Sequence, residues 1–256
     1  MDSVMDAAPN PNQNHLLAAL SASVLQRWLP QLEWVEMPLG DVLYESGETS
    51  RYVYFPATSI VSLLYLMENG ASAEIAVVGN EGIVGLSLFT GGGSTLSRAL
   101  VHSGGAGFRM AAERFKKEFH RSLAVLHLLL RYTQALSTQM AQTAVCNRHH
   151  SLDQQLCRWL LLSLDRLDGD ELEMTQRLIA DMLGVRREGV TQAALQLQEA
   201  GLIQYVRGHI RVLDRSELEK RSCECYAVVK KEYDRLLPAP KRLGDVAVPP
   251  GLVRQT

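Results

Sequence analysis

Cysteine is scarce, net charge is close to zero and apolar runs are short, and each of these shortages excludes a class of protein. The four cysteines, Cys146, Cys157, Cys223 and Cys225, do not form a disulfide framework, and in a cytoplasmic chain they are expected to be reduced. Cys223 and Cys225 stand too close for the usual two-thiolate grip on zinc, and no second pair accompanies them. Cys146 with His149, one helical turn on, and His150 does not complete a ligand set, so no metal and no cofactor is expected. The longest apolar stretches, near Leu126–Leu130 and Trp159–Leu164, are too short to span a bilayer. The opening MDSVMDAAPNPNQN lacks the basic-then-apolar run of a cleaved signal, which points to a cytoplasmic protein without a membrane partner. A formal net charge of −2 argues against indiscriminate nucleic-acid binding, although a local basic face is what matters there.

Catalytic motifs are missing as well. No Gly-x-Ser-x-Gly elbow, phosphate loop or His-Glu-x-x-His sequence occurs, and no enzyme activity is expected. A metal-dependent cupin-like barrel would need two or three inward histidines, whereas the strand-rich region holds His102 alone. A haem- or redox-responsive sensor, built on His102, His149 or Cys146, is the other alternative.

What the chain does contain is concentrated in TQRLIADMLGVRREGVTQAALQLQEAGLI, Thr175 to Ile203. Leu178, Ile179, Met182 and Leu183 recur at helical spacing, with Ala180 small enough for a second helix to cross closely. Gly184 tolerates the left-handed turn that ends the first helix, and Val185 fills the corner. A second helix starting near Arg186 would bury Val190, Ala194 and Leu197 and turn Arg187, Glu188, Thr191 and Gln192 outward. An Arg can donate two parallel hydrogen bonds to guanine O6 and N7, and a Glu can accept from cytosine N4. In a helix-turn-helix that enters the major groove, Thr175 and Gln176 would lie over phosphates, and Arg186 at the start of the second helix would also face DNA. The following GLIQYVRGHIRVL reads as a hairpin around Arg207-Gly208-His209, bringing Arg207, His209 and Arg211 to the DNA backbone.

Arg187-Glu188 with Gly184 and Val190 makes this segment resemble the winged helix-turn-helix of the Crp/Fnr transcription regulators, the cAMP receptor protein group. In that family an Arg-Glu pair opens the second helix and reads a G·C pair. Gln192 stands where cAMP receptor proteins carry a further base-reading Arg, so the resemblance implies a half-site shared only in part. The β-rich, glycine-punctuated run from Val35 to Phe89 reads as an antiparallel sandwich or jelly roll. It resembles the family's cyclic-nucleotide-binding domain, with Leu43–Glu48 as a turn between the first strands and Ile83-Val84-Gly85 opening the phosphate-binding cassette. Leu86 replaces the ribose-binding Glu of that cassette, and Arg98-Ala99 replaces its Arg-Ser pair. Losing the carboxylate should cost about 2–3 kcal/mol of ligand binding, so tight cAMP binding in the usual way is not expected. Gly85, Leu86, Arg98 and Ala99, with Gln142 and Thr143 from a later helix, are the effector-facing residues the resemblance implies; another small-molecule ligand, a partner, or the protein's own concentration alone would then set its response. The family's oxygen-sensing branch holds an iron–sulfur cluster on N-terminal cysteines, which this chain lacks.

Ser122 to His150 reads as one long helix whose apolar stripe exceeds what a small barrel can cover. The resemblance makes it a dimer helix, with Leu136 and Met140 turned to the partner. The expected α+β layout is a disordered segment over 1–14, a sensory β-roll over 15–121, the dimerisation helix over 122–150, a winged helix-turn-helix domain over 151–237 and a disordered tail over 238–256. Within it, helical spacing runs from His15 until Pro30, Gln155–Leu167 is amphipathic and Ser216–Leu237 is one polar helix. Together these features imply a homodimeric regulator on palindromic double-stranded DNA, with RNA polymerase as a further partner.

Overall fold

The computed structural model describes residues 9–167 and 169–237; the expectations for 1–8, Asp168 and the 238–256 tail lie outside them. The chain from Pro9 to Asn14 is ordered, contrary to expectation. Asn14 is fully buried. Its side chain caps helix α1 (His15–Ala18) through Leu16 and Leu17 N–H, and donates to Pro56 O at 2.9 Å and Gly82 O at 2.8 Å. Helical spacing does not continue unbroken to Pro30. Ser21 accepts from Val24 N–H and starts a second helix, α2 (Ala22–Trp28), because a capping side chain begins a new helix where it satisfies the first open N–H groups. Trp28 then packs at 6.1 Å from the ring of Phe55 and 5.8 Å from Phe115.

The β-roll follows. Strands β1 (Glu33–Met37), β2 (Val42–Tyr44), β3 (Tyr52–Pro56), β4 (Ile60–Leu66), β5 (Ser72–Val78), β6 (Ser97–Ser103) and β7 (Gly105–Ala111) pair antiparallel in two sheets, ordered β1-β7-β3 and β2-β6-β4-β5. Val53, Phe55, Val61, Val78, Val101 and Met110 are buried in the core. A short helix α3 (Ser87–Thr90) interrupts the strands, and α4 (Ala112–Arg121) closes the roll.

Helix α5 spans Leu123–His149, capped by Ser122, as the sequence predicts. Its faces are arranged differently. Leu136 is 1% exposed and belongs to the stripe Val125, Leu128, Leu129, Tyr132, Ala135, Leu136, Gln139 and Thr143 that is buried within this chain; Tyr132 OH donates to Ile83 O and Gln139 to Val77 O. Leu136 is therefore a core residue here, and an uncovered stripe lies elsewhere on α5. Leu123, His127, Leu130, Gln134, Ser137, Ala141 and Ala144 are all exposed and recur at alternating four- and three-residue steps.

Helix α6 (Leu152–Leu164) begins with a Ser151 capping box rather than at Gln155. Every residue from Gln155 to Leu164 is buried, so the helix is enclosed on all sides, where an amphipathic helix was expected. The roll and the elements that follow supply the enclosure. They are β8 (Glu171–Glu173), α7 (Gln176–Leu183), α8 (Arg187–Glu199), β9 (Ile203–Val206), β10 (His209–Val212), α9 (Arg215–Arg221) and α10 (Glu224–Leu236). The final polar segment is two helices, not one: Ser222 ends α9 in extended backbone and Cys223, also extended, caps α10, which then packs along α5.

Arg166, just beyond α6, fastens the two halves. Its Nε donates to Glu81 Oε1 at 2.8 Å, Nη2 to Gln139 Oε1 at 2.9 Å and Nη1 to Leu162 O at 2.5 Å, with the Tyr233 ring 5.6 Å away. Gly79 is required here by proximity, since a Cβ would lie 2.6 Å from Arg166 Cβ. Arg166→Leu, which strands a largely buried Glu81, is expected to lower stability by about 3 kcal/mol in chemical denaturation; a loss below about 0.5 kcal/mol, the range of ordinary surface changes, would show that the ion pair does not hold the junction.

Candidate nucleic-acid interface

Thr175 accepts from Leu178 N–H and starts α7. Gly184 ends it in the left-handed region, φ 66, and Val185 N–H returns to Ala180 O at 3.0 Å. This tight closure sets the crossing of α7 and α8. Arg186 is the N-cap of α8, and Val190, Ala193, Ala194 and Leu197 are its buried face. Arg186, Arg187, Glu188 and Gln192 are exposed. Among the described residues neither Arg187 nor Glu188 has an ion-pair partner, so both heads can meet a ligand without first losing a bond. Thr191 is half-buried, and its hydroxyl donates to Gln176 Oε1 at 2.6 Å. That contact links the two helices and leaves the Gln176 amide N–H groups as donors.

The wing is a three-stranded sheet, β8-β10-β9. Arg207 and Gly208 form its tip at φ 51 and 87, the positive pair that a two-residue type I′ turn demands. Arg207 is thus held in a backbone that glycine would adopt more easily. Met174 N–H donates to Gly208 O at 2.6 Å and Tyr205 OH to Met174 O at 2.7 Å, tying the wing to the start of α7. Arg207, His209 and Arg211 are exposed. Arg211 is already paired with Asp170 at 3.3 Å and Glu171 at 3.6 Å, so a phosphate there would compete with two carboxylates.

On the sensory side, Gly85 has φ 109, and Leu86 packs half-buried against the roll core. Ala99 is fully buried on β6. Arg98 grips both oxygens of Glu45, Nε at 2.8 Å and Nη2 at 2.9 Å, the fork geometry a phosphate would otherwise receive. Gln142 is half-buried. Thr143 faces α6, where it receives Arg158 Nη2 at 2.6 Å, while Gln139, one turn earlier, reaches the roll.

Residues 154–221 match the Crp-like helix-turn-helix domain. The chain carries a Crp-like helix-turn-helix domain. Its overall fold is shared with Crp/Fnr regulators. FixK2 from Bradyrhizobium japonicum superposes with a TM-score of 0.63 at 19% identity, covering 75% of this chain and 98% of that one. A CRP-family transcriptional regulator from Thermus thermophilus gives 0.60 at 18%, covering 73% and 96%. The c-di-GMP responsive global regulator CLP from Xanthomonas campestris gives 0.59 at 15%, covering 76% and 100%. No curated protein matches the sequence. No helix of the described residues is long and apolar enough to cross a membrane.

The Crp-like domain rests on the roll through polar groups, of which the sequence marks His102 but not Ser62 or Glu74. Ser62, on β4, donates to Glu74 Oε2 on β5 and contacts His102 Nδ1 on β6. Trp159 of α6 donates Nε1 to Glu74 Oε1 at 3.1 Å and lays its ring 5.6 Å from that of His102. Period-2 strand patterning does not mark Glu74, whose partners come from β4 and α6. The three residues of the haem or redox alternative have separate surroundings: His102 in this network, Cys146 against Cys223, and His149 in solvent.

Burial disfavours charge on both titratable members of this network. It raises Glu74 from 4.5 to about 7, against the Ser62 hydrogen bond and the Arg158 charge, and lowers His102 from 6.5 to about 3, with the Arg166 charge adding to the effect. The neutral acid stabilises the fold at low pH, and that contribution is lost as pH rises from 4.5 through about 7. The neutral imidazole contributes above 6.5, and its share is lost as pH falls toward about 3. Between 4.5 and 6.5 the two slopes oppose each other. Glu74→Gln removes the acid's slope, so across that window its stability should rise with pH relative to the parent by roughly 1 kcal/mol per unit. Thermal midpoints against pH check this, and parallel curves would contradict it.

Proposed function

We propose that this protein is a sequence-specific transcription regulator that binds palindromic double-stranded DNA as a homodimer. The observation that carries the reading is the pairing of exposed, unpartnered Arg187 and Glu188 on the first turn of α8, inside a Crp-like domain. Arg187 donates to guanine and Glu188 accepts from cytosine, while Thr191 and Gln192 read the next turn. Thr175, Gln176 and Arg186 sit over phosphates at one side of the groove, and Arg207 and His209 grip the backbone at the wing, with Arg211 after exchange of its carboxylates.

A single recognition helix reads one groove, so affinity requires a second half-site. The uncovered stripe of α5 offers the twofold contact: Leu123 and Leu130 toward its start, then Ser137, Ala141 and Ala144, whose small side chains permit close helix approach, in the 3.5-residue rhythm of a coiled-coil seam. The roll is the sensory half. Leu86 in the cassette and Arg98 already held by Glu45 support an effector other than cAMP bound in the usual way. Strand β5 carries the signal, because α7 lies against it, with Ser72 Oγ donating to Asp181 O at 3.4 Å. An effector shifts the domains only by its differential affinity for two arrangements. The protein works in the cytoplasm, presents its DNA complex to RNA polymerase and catalyses no reaction.

Selection from random duplexes by the purified protein should retain a twofold-symmetric site. Arg187→Ala and Glu188→Ala should each cost about 1–3 kcal/mol and relax preference at one base pair per half-site. An unchanged selected sequence in both variants would overturn the docking. Leu130→Asp should give monomers by sedimentation while the fold persists; dimers of this variant would place the twofold contact off α5.

A further inference from the structure

Where α5 ends and α10 begins, four side chains with metal-binding chemistry converge. Cys146 lies in the last turn of α5 and His150 directly follows it; Cys223 caps α10 and Cys225 lies in its first turn. Their donor atoms all lie within 4.8 Å of one another. Cys146 Sγ and Cys223 Sγ are 3.4 Å apart, and Cys225 Sγ is 3.6 Å from His150 Nδ1. We propose that Cys146, His150, Cys223 and Cys225 bind one zinc ion, which staples the C-terminal helix to the end of α5.

The spacing fits a tetrahedron. With Zn–S near 2.3 Å and Zn–N near 2.0–2.1 Å, two thiolates on one ion stand about 3.8 Å apart, and a thiolate and an imidazole nitrogen about 3.5 Å. Both observed separations lie within a few tenths of an ångström of those edges. A disulfide would use two sulfurs bonded at about 2.05 Å and leave Cys225 and His150 facing the bond without a role. An iron–sulfur cluster distributes its thiolates over several irons, and so spreads them wider than donors that converge on a point. Three thiols and an imidazole are a donor set that suits zinc.

Two surrounding groups complete the site. His150 Nε2 lies 3.3 Å from Glu224 Oε2, the carboxylate contact that fixes a metal-bound imidazole with its other nitrogen toward the ion. Arg158 is buried, its Nε has no hydrogen-bond partner, and its charge acts on Cys146 and Cys225. Three thiolates and a neutral imidazole on a dication leave a centre of net charge −1 that the guanidinium offsets. Cys146, Cys223 and Cys225 are 0%, 4% and 1% exposed, as in a closed structural site rather than an open catalytic one. The short Cys-x-Cys spacing works because Cys223 is still extended while Cys225 is already helical, which turns both thiols to one side.

The staple is independent of what α8 reads, so its test does not require DNA. The full chain, purified under reductant without chelating resin, should carry about one zinc per chain by elemental analysis. Cys223→Ser and His150→Gln should lose most of it, while Cys157→Ser, a buried cysteine outside the cluster, should retain it. Protein stripped of zinc and titrated with cobalt should show thiolate charge-transfer and tetrahedral ligand-field absorption, saturating near one equivalent, and should melt at a lower temperature before the metal is restored. The cobalt titration uses the parent chain and so remains decisive if a variant fails to fold. Folded protein that takes up neither metal would overturn the proposal, as would zinc content unaffected by Cys223→Ser, an iron–sulfur chromophore, or a Cys146–Cys223 disulfide under reductant.

Discussion

Burying a guanidinium costs several kcal/mol unless its donors and its charge are both answered, and Arg166 is buried at the point where the roll, α5 and the C-terminal domain meet. Glu81 from the roll answers its charge, Gln139 from α5 and Leu162 O from α6 take further donors, and Tyr233 of α10 covers its face. Each partner comes from a different element, so the bonds are complete only when all of these elements are in register. That requirement explains why α6 is enclosed on every side. It also explains why Gly79 carries no side chain at the point of closest approach.

The same junction places the roll against the helix-turn-helix. Strand β5 presents Glu74 to Trp159 of α6, and its first residue, Ser72, to Asp181 of α7. Burial disfavours charge on Glu74 and His102, and the contact is held by the hydrogen bonds from Ser62 and Trp159 to Glu74. Thr191 and Gln176 in turn connect α7 to α8. At the far edge Cys146, His150, Cys223 and Cys225 converge where α10 meets α5.

The DNA-reading motif was legible because its determinants lie within a few residues of one another. Apolar spacing over Leu178–Leu183, the left-handed turn at Gly184 and the outward Arg187-Glu188 pair are all local, and the observed helices follow them closely. The turn at Arg207-Gly208 and the capped start of α5 belong to the same class. Periodicity was less informative where a helix is surrounded. α6 read as amphipathic because Gln155 and Arg158 look solvent-facing in one dimension, yet both are buried. On α5 the apolar stripe pointed to Leu136 as a partner contact, but that face is buried within this chain.

Local sequence thus determined the helix-turn-helix, the wing, the strand-rich roll and the length of α5, since each depends on caps, turns and side-chain spacing within one or two turns of backbone. Tertiary structure decided the rest. Whether Arg98 meets a ligand or Glu45, whether Glu74 holds a proton, and whether Cys146 and His150 join Cys223 and Cys225 depend on residues tens of positions apart. Spacing along the chain carries no record of such meetings, because they arise only when packing of the enclosed α6 sets the distances between otherwise independent elements.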